Sequence, residues 1–250
     1  MKITMLGTGT SFPDPDRVQS GILVETEETT VLLDVGSGTL HRLTQVGLDF
    51  RKLDAVVLTH FHVDHCSDFP TLCQTLWLEG FEKSLSVHGP PPIFQWARGL
   101  LTDSYPYLQD KVDIRFNELE SRGIVLGDLR IENTPTCHGT METRALRLDD
   151  GGASLVYSSD TSPCEGVVRL AQNVNLLIHE CNWLDGEHPK NVHSSPSEVA
   201  RIVKAASPTR ALLTHVSPEV VAKENEVVEI VAESAGTSVE MARDLLTLDL

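Results

Sequence analysis

Basic residues are scarce in this chain: 20 lysines and arginines stand against 36 aspartates and glutamates, leaving a net charge of −16. A protein that grips long nucleic acid presents a basic face to displace counterions from phosphates, so the acidic excess disfavours extended DNA or RNA as a partner. Cysteine is also sparse. The 5 cysteines are odd in number and never spaced Cys-x-x-Cys, which argues against a disulfide framework or a cysteine zinc knuckle and suits a reducing compartment. No apolar run approaches the length of a membrane span, and the patch at residues 1–6 is too short for a signal peptide. The expectation is a cytoplasmic protein with no membrane partner. No low-complexity stretch or charge block marks a linker. With 250 residues, 40% of them hydrophobic, one domain spanning 1–250 is expected. Gly7-Thr8-Gly9 lacks the third glycine and the crossover helix of a dinucleotide fingerprint, and reads instead as a tight turn at the rim of a site.

What is present is an alternation of short strands and helices. Residues 3–6, 21–25 and 30–35 are short, aliphatic and bounded by turn formers, as strands are. Residues 38–46 carry Leu40, Leu43 and Val46 at helical spacing before Gly47. Residues 55–59 read as a buried strand, 67–78 as a helix ending at Gly80, and 86–88 as a strand entering Pro90-Pro91-Pro92, a stiff connector to a helix over 93–101. Strands are expected at 112–116, 124–126 and 129–131. Asp149-Asp150-Gly151-Gly152 between 144–148 and 154–158 is a hairpin signal. A buried strand at 174–179 follows. Ser195-Pro196-Ser197-Glu198 is a capping box with proline at the first helical position, opening a helix over 198–206. A strand at 211–215, a helix at 226–235 and a closing segment at 239–248 complete the reading. Ala55-Val56-Val57-Leu58-Thr59-His60 is echoed by Ala211-Leu212-Leu213-Thr214-His215. Two halves, each with a strand ending in a histidine and helices outside, would stack as a four-layer αββα sandwich of the α/β class.

The chemistry is concentrated in Thr59-His60-Phe61-His62-Val63-Asp64-His65. Imidazole and carboxylate are natural ligands of a borderline cation such as zinc. In an extended segment residues two apart face the same way, so His60 and His62 can converge on one ion while the chain turns to aim Asp64 and His65 at a second. His138, Asp160 and His215 each follow a strand-like segment. Taken singly, His138 reads as a loop histidine, Asp160 as an Asx-turn or helix cap, and His215 as a strand-end histidine with a satisfied ring. Their order beside the cluster gives them weight.

With its His-x-His-x-Asp-His cluster followed by single His, Asp and His positions, the chain resembles the metallo-β-lactamase-fold hydrolases over nearly its whole length. The resemblance implies the αββα sandwich and a centre of two divalent ions, zinc in most members, with manganese or iron as alternatives. Carried over by motif, His60, His62 and His138 would hold one ion, Asp64, His65 and His215 the other, and Asp160 would bridge them. Asp34, ending Leu32-Leu33-Asp34, matches a buried carboxylate that supports the ligand loop. Within the superfamily the chain is most similar to ribonuclease Z and its phosphodiesterase relatives, through Leu6-Gly7-Thr8-Gly9, Ser158-Ser159-Asp160-Thr161, Leu213-Thr214-His215-Val216-Ser217-Pro218, His179-Glu180 and His193-Ser194-Ser195. In that family a loop histidine oriented by a carboxylate helps protonate the leaving group. His193 and Glu180 would be the counterparts here, against bland readings as an exposed loop residue and a turn residue.

Ribonuclease Z carries a tRNA-clamping arm between the counterparts of His138 and Asp160. Here that interval holds only the Asp149–Gly152 hairpin, Cys181-Asn182 replaces Ala-Thr after His179-Glu180, and the chain is acidic. These departures speak against tRNA 3′-end processing. Two divalent ions would form a positive island on an acidic surface, suited to a small anionic substrate. The expected function is a metal-dependent phosphodiesterase acting on small phosphodiesters or cyclic phosphates through a metal-bridging hydroxide, with Asp64 also accepting the water proton. Alternatives are a carboxyl-ester, thioester or lactone hydrolase, a ribonuclease Z-like endonuclease, and a non-enzymatic metal-binding module. Members of the family are commonly dimers, so a homodimer is a further expectation of the resemblance.

Overall fold

The computed structural model describes residues 1–120 and 123–250. Strands β1 (Lys2–Gly7), β2 (Gly21–Glu25), β3 (Thr30–Leu33), β4 (Ala55–Val57), β5 (Leu85–Gly89), β6 (Ile114–Glu118) and β14 (Thr247–Asp249) form one sheet in the order β14-β1-β2-β3-β4-β5-β6. The second sheet mirrors it. There β7 (Ile124–Leu126), β8 (Leu129–Pro135), β9 (Arg144–Asp149), β10 (Ser154–Tyr157), β11 (Leu176–Glu180), β12 (Arg210–Thr214) and β13 (Ser238–Met241) run in the order β13-β12-β11-β10-β9-β8-β7. In each sheet an antiparallel part leads into parallel strands: β3, β4, β5 and β6 in the first, and β10, β11, β12 and β13 in the second.

Strand alternation explains the stacking. Successive side chains leave opposite faces of a strand, so Val31 and Leu33 enter the core shared by the two sheets while Leu32 packs outward. In β11, Leu176 and Ile178 face the shared core, and Leu177 joins the opposite outer layer. Outside the first sheet lie α1 (Thr39–Gln45) and α3 (Phe69–Leu78), with Leu40, Leu43, Phe69 and Leu72 buried. Outside the second lies α6 (Pro196–Ala206), with Val199, Ile202 and Val203 buried beside Val227 and Val231 of α8 (Glu224–Ala235). Four layers with three apolar seams result: the αββα sandwich expected of the sequence.

The local differences have local causes. The helix expected over 67–78 begins at Phe69, because Asp68 spends its side chain on the N–H groups of Gly38 and Leu40. In its place a separate one-turn helix, α2 (Val63–Cys66), precedes it. The helix expected over 93–101 stops at Arg98 as α4 (Ile93–Arg98) and continues as a π-turn over Gly99–Ser104. The strand expected at 112–116 lies at Ile114–Glu118, and that at 129–131 runs on to Pro135 against β9. The closing segment 239–248 is two strands in different sheets, divided by a turn in which Leu245 has φ 67°. Helices α5 (Glu165–Leu170) and α7 (Pro218–Val221) were not expected. The hairpin joins β9 to β10, Asp149 pairing with Ser154, and both halves of the capping box at Ser195 and Glu198 form.

Candidate metal centre

The site gathers at the ends of strands from both sheets. After β3, Asp34 takes the left-handed conformation (φ 59°) and turns its carboxylate back under the cluster. Its Oδ1 accepts the Thr59 N–H at 2.8 Å and its Oδ2 accepts the Thr59 hydroxyl at 2.9 Å. The Tyr157 hydroxyl donates to the same Oδ2 at 3.1 Å, and His65 Nδ1 lies 2.8 Å from it. Asp34 therefore supports the loop from beneath, as expected. His62 caps α2, whose single turn carries Asp64 and His65 inward and leaves Val63 exposed.

Every ligand candidate meets in one place. His60 Nε2 is 3.1 Å from His62 Nδ1, which is 3.2 Å from His138 Nε2. Asp160 Oδ2 lies 3.7 Å from His60 Nε2 and 3.6 Å from His138 Nε2. The other oxygen, Oδ1, faces His65 Nε2 at 3.3 Å and His215 Nε2 at 3.5 Å. Asp64 Oδ2 closes that second group, 3.3 Å from His215 Nε2 and 3.9 Å from His65 Nε2. Donors bound tetrahedrally at about 2.1 Å from one zinc ion stand roughly 3.4 Å apart, and the observed separations bracket that value. Asp160 Oδ1 is buried with no hydrogen-bond partner among the described residues, an orphaned carboxylate oxygen that a cation would satisfy. The donor set fits two ions, His60, His62 and His138 around one, and Asp64, His65 and His215 around the other, with Asp160 between them.

Electrostatics differ between the two groups. Burial holds His60 well below the ordinary imidazole range and lowers His62 and His138, the neutral form that ligates a metal. Burial works against a charge on His65 too, but Asp160 and Asp34 outweigh it and hold the ring well above that range. Burial would raise Asp160, yet His215 and His65 hold it well below the usual carboxylate value.

A third feature adjoins the pair of groups. His193 Nδ1 lies 2.7 Å from Glu180 Oε1, and its ring stacks on His215 with centroids 5.3 Å apart. Glu180, fully buried, also accepts the N–H groups of Thr161, Asn182 and Ser194. Burial and the nearby Asp160 push its carboxyl well above the ordinary value, and burial lowers His193. Gly7 ends β1 rather than forming a tight turn, and the buried Thr8 that follows lies beside the His215 segment, its carbonyl accepting the N–H of Val216.

The sequence reading missed the supports. The Ser159 hydroxyl donates to Thr59 Oγ1 at 2.7 Å, and the Val192 carbonyl stands 2.7 Å from His138 Nδ1, fixing which ring nitrogen faces the site. Two clefts open beside the centre. One, of about 710 Å³, is polar and includes His193, His188, Lys190 and Arg201. The other, of about 630 Å³, is walled by Phe61, Trp96, Leu100 and Met141. No helix among the described residues is long and apolar enough to cross a membrane.

Comparison with known proteins places the chain. Residues 1–231 match the family model described as Anti-Pycsar protein Apyc1. An uncharacterized Mycobacterium leprae protein, ML1173, is 35% identical, covering 94% of this chain and 84% of its own. The ribonuclease Z of Methanothermobacter thermautotrophicus is 26% identical over 100% of this chain and 97% of that protein. Among solved structures, the metallo-β-lactamase-fold protein YhfI of Bacillus subtilis superposes with a TM-score of 0.85 at 26% identity, covering 99% of this chain and 98% of that one. With the two-sheet sandwich and the histidine–aspartate centre already in view, the chain belongs to the Anti-Pycsar protein Apyc1 family and is a metallo-hydrolase of the metallo-β-lactamase fold, close to the ribonuclease Z branch.

Proposed function

We propose that the protein is a dinuclear metal-dependent phosphodiesterase acting on small phosphodiesters or cyclic phosphates. The observation that carries the reading is Asp160, whose two oxygens each face a separate ligand group while His193 and Glu180 stand in the same ring of side chains. Two zinc ions, when bound, supply Lewis acidity that polarises a phosphoryl group and makes water acidic enough to attack at neutral pH. The protein's own groups handle the protons. Asp64 is held below the usual carboxylate range, chiefly by its hydrogen bond from His215 working against burial; it is ionised and able to accept the proton of the attacking water. His193 faces the centre with the nitrogen not committed to Glu180, and that nitrogen delivers a proton to the departing alkoxide. Glu180 orients the ring and restores the proton.

The short hairpin between β9 and β10 and the charge of −16 support a small substrate over a tRNA. The test compares bis(p-nitrophenyl) phosphate with lactones and thioesters on metal-loaded protein. Preferential turnover of the diester is expected, and hydrolysis of the carboxyl esters alone would overturn the assignment. His193→Ala should lower kcat by about 10²- to 10³-fold with metal content unchanged. Metal loss in that variant would make His193 a ligand instead, a role its grouping with Asp160 and His215 keeps open to the test.

A further inference from the structure

Glu180 fixes only one corner of the His193 ring. The contact at Nδ1, 2.7 Å long, leaves the imidazole free to tilt about its Cβ–Cγ torsion, which is broad in histidine. A group that delivers a proton must keep its aim, since misplacement by about 1 Å can cost about 10²-fold in rate. Three rings close on His193 and supply what that contact lacks. The His138 and His215 centroids lie 4.9 and 5.3 Å away, but both residues are proposed metal ligands whose own positions depend on the ions. The third ring is Trp183, with centroids 5.6 Å apart and planes at 73°.

Trp183 is built into the same stretch of chain as Glu180 and His193. It closely follows Glu180, and its N–H donates to the carbonyl of Ser194, the neighbour of His193, at 3.2 Å. Glu180 Oε2 accepts the N–H groups of Asn182 at 3.2 Å and Ser194 at 3.1 Å, so the two segments are gathered on a single carboxylate. The indole is braced in turn by His188, stacked on it with centroids 6.1 Å apart and planes 12° from parallel. A buried tryptophan N–H ordinarily finds an acceptor. Here Nε1 is buried without a hydrogen-bond partner among the described residues, so what the side chain contributes is its ring.

We infer that Trp183 is a positioning residue: its indole sets the plane of the His193 imidazole and keeps the nitrogen not committed to Glu180 aimed at the leaving oxygen. The inference rests on the reading of His193 as proton donor given above. Trp183 acts through His193 and not on the substrate. The step it serves is the transfer of one proton from His193 to the oxygen that leaves phosphorus as the P–O bond breaks. Its influence is therefore greatest where the leaving oxygen is strongly basic, and vanishes where the group departs as a stable anion.

Methyl phenyl phosphate and methyl p-nitrophenyl phosphate keep the same methyl group and differ in the basicity of the aryl oxide expelled. On metal-loaded protein, Trp183→Leu should lower kcat about 10-fold for the phenyl ester and less than about 2-fold for the p-nitrophenyl ester, with KM and bound metal unchanged. Trp183→Phe, which keeps an aromatic ring, should restore most of the loss. In the His193→Ala background Trp183→Leu should add nothing, because residues that act as a unit are not additive. Equal losses on both esters, loss of metal, or a full additional loss in His193→Ala would overturn the inference and leave Trp183 a packing residue. If Trp183→Leu does not fold, Trp183→Met, which fills the site without an aromatic ring, carries the same comparison. A His193→Ala variant that slows both esters alike would strike the proton-donor reading and this inference with it, a failure visible without any change at Trp183.

Discussion

Adjacent residues on one strand can have unrelated fates, as His179 and Glu180 show. In β11 alternation sends Glu180 to the metal centre and His179 to the side of Leu177, in the outer core of the second sheet. There His179 is fully buried, its Nδ1 2.7 Å from the Glu180 carbonyl and its Nε2 without a partner among the described residues. Burial lowers the ring to about 4. A histidine whose folded pKa lies below its unfolded value of about 6.5 favours the native state above that value and loses its contribution as pH falls toward 4. From this residue alone the loss at pH 5 is about 2 kcal/mol. Urea unfolding at pH 7.5, 6 and 5 should show that decline in the wild type and a shallower one in His179→Leu. Equal slopes would mean that the ring titrates alike in the folded and unfolded protein. The clustered histidines were legible because His60 to His65 are packed into one short run. Thr59, Tyr157 and Ser159 were not, since their hydrogen bonds join residues far apart in sequence and leave no period behind.

At the scale of elements, the centre is built where parallel strands end. Asp34 follows β3, Ser159 lies just beyond β10 and His215 follows β12, and all three have positive φ, 59°, 52° and 50°. Each left-handed residue costs about 1 kcal/mol or more and re-aims the chain at once, bringing ligands from both sheets to one point. Hydrophobic runs made the strands readable, and the echo between 55–60 and 211–215 made the two halves readable. The terminal twists were not, because Asp, Ser and His give no turn signal as definite as glycine. The same crowding makes Gly36 a test. A Cβ there would lie 2.1 Å from the Asp64 carbonyl and 2.8 Å from the Ser20 nitrogen, so backbone must move. Gly36→Ala should cost about 1–3 kcal/mol and displace α2, lowering bound metal as measured by elemental analysis. Gly152→Ala, where the nearest atom is the Asp150 side chain at 3.6 Å, is the matched control. Full metal content in Gly36→Ala would show that α2 is placed by other contacts.

For the whole molecule the two sheets supply different members of the proposed ligand set. The first provides His60, His62, Asp64 and His65 after β4, and the second provides His138 after β8, Asp160 after β10 and His215 after β12. Ions bound among them would tie the halves together, in addition to the apolar seam of Ile3, Val31, Leu146 and Ile178. If the chain works as one domain, as we propose, that tie should appear in the stability of both sheets. A ligand bound only by the folded state, at a thousand times its dissociation constant, adds about 4 kcal/mol. In a chain of this size that corresponds to a Tm shift of roughly 10 °C. Chelation should therefore lower Tm by that amount, and restoring zinc should recover it. Trp96 lies on the side of the first sheet, while Trp183 follows β11 and touches His193. Fluorescence from variants retaining one of these tryptophans should report the same shifted midpoint. If chelation moved only the Trp183 signal, the ions would be held by the second half alone. An unchanged Tm at both positions would mean that no cation bridges the sheets.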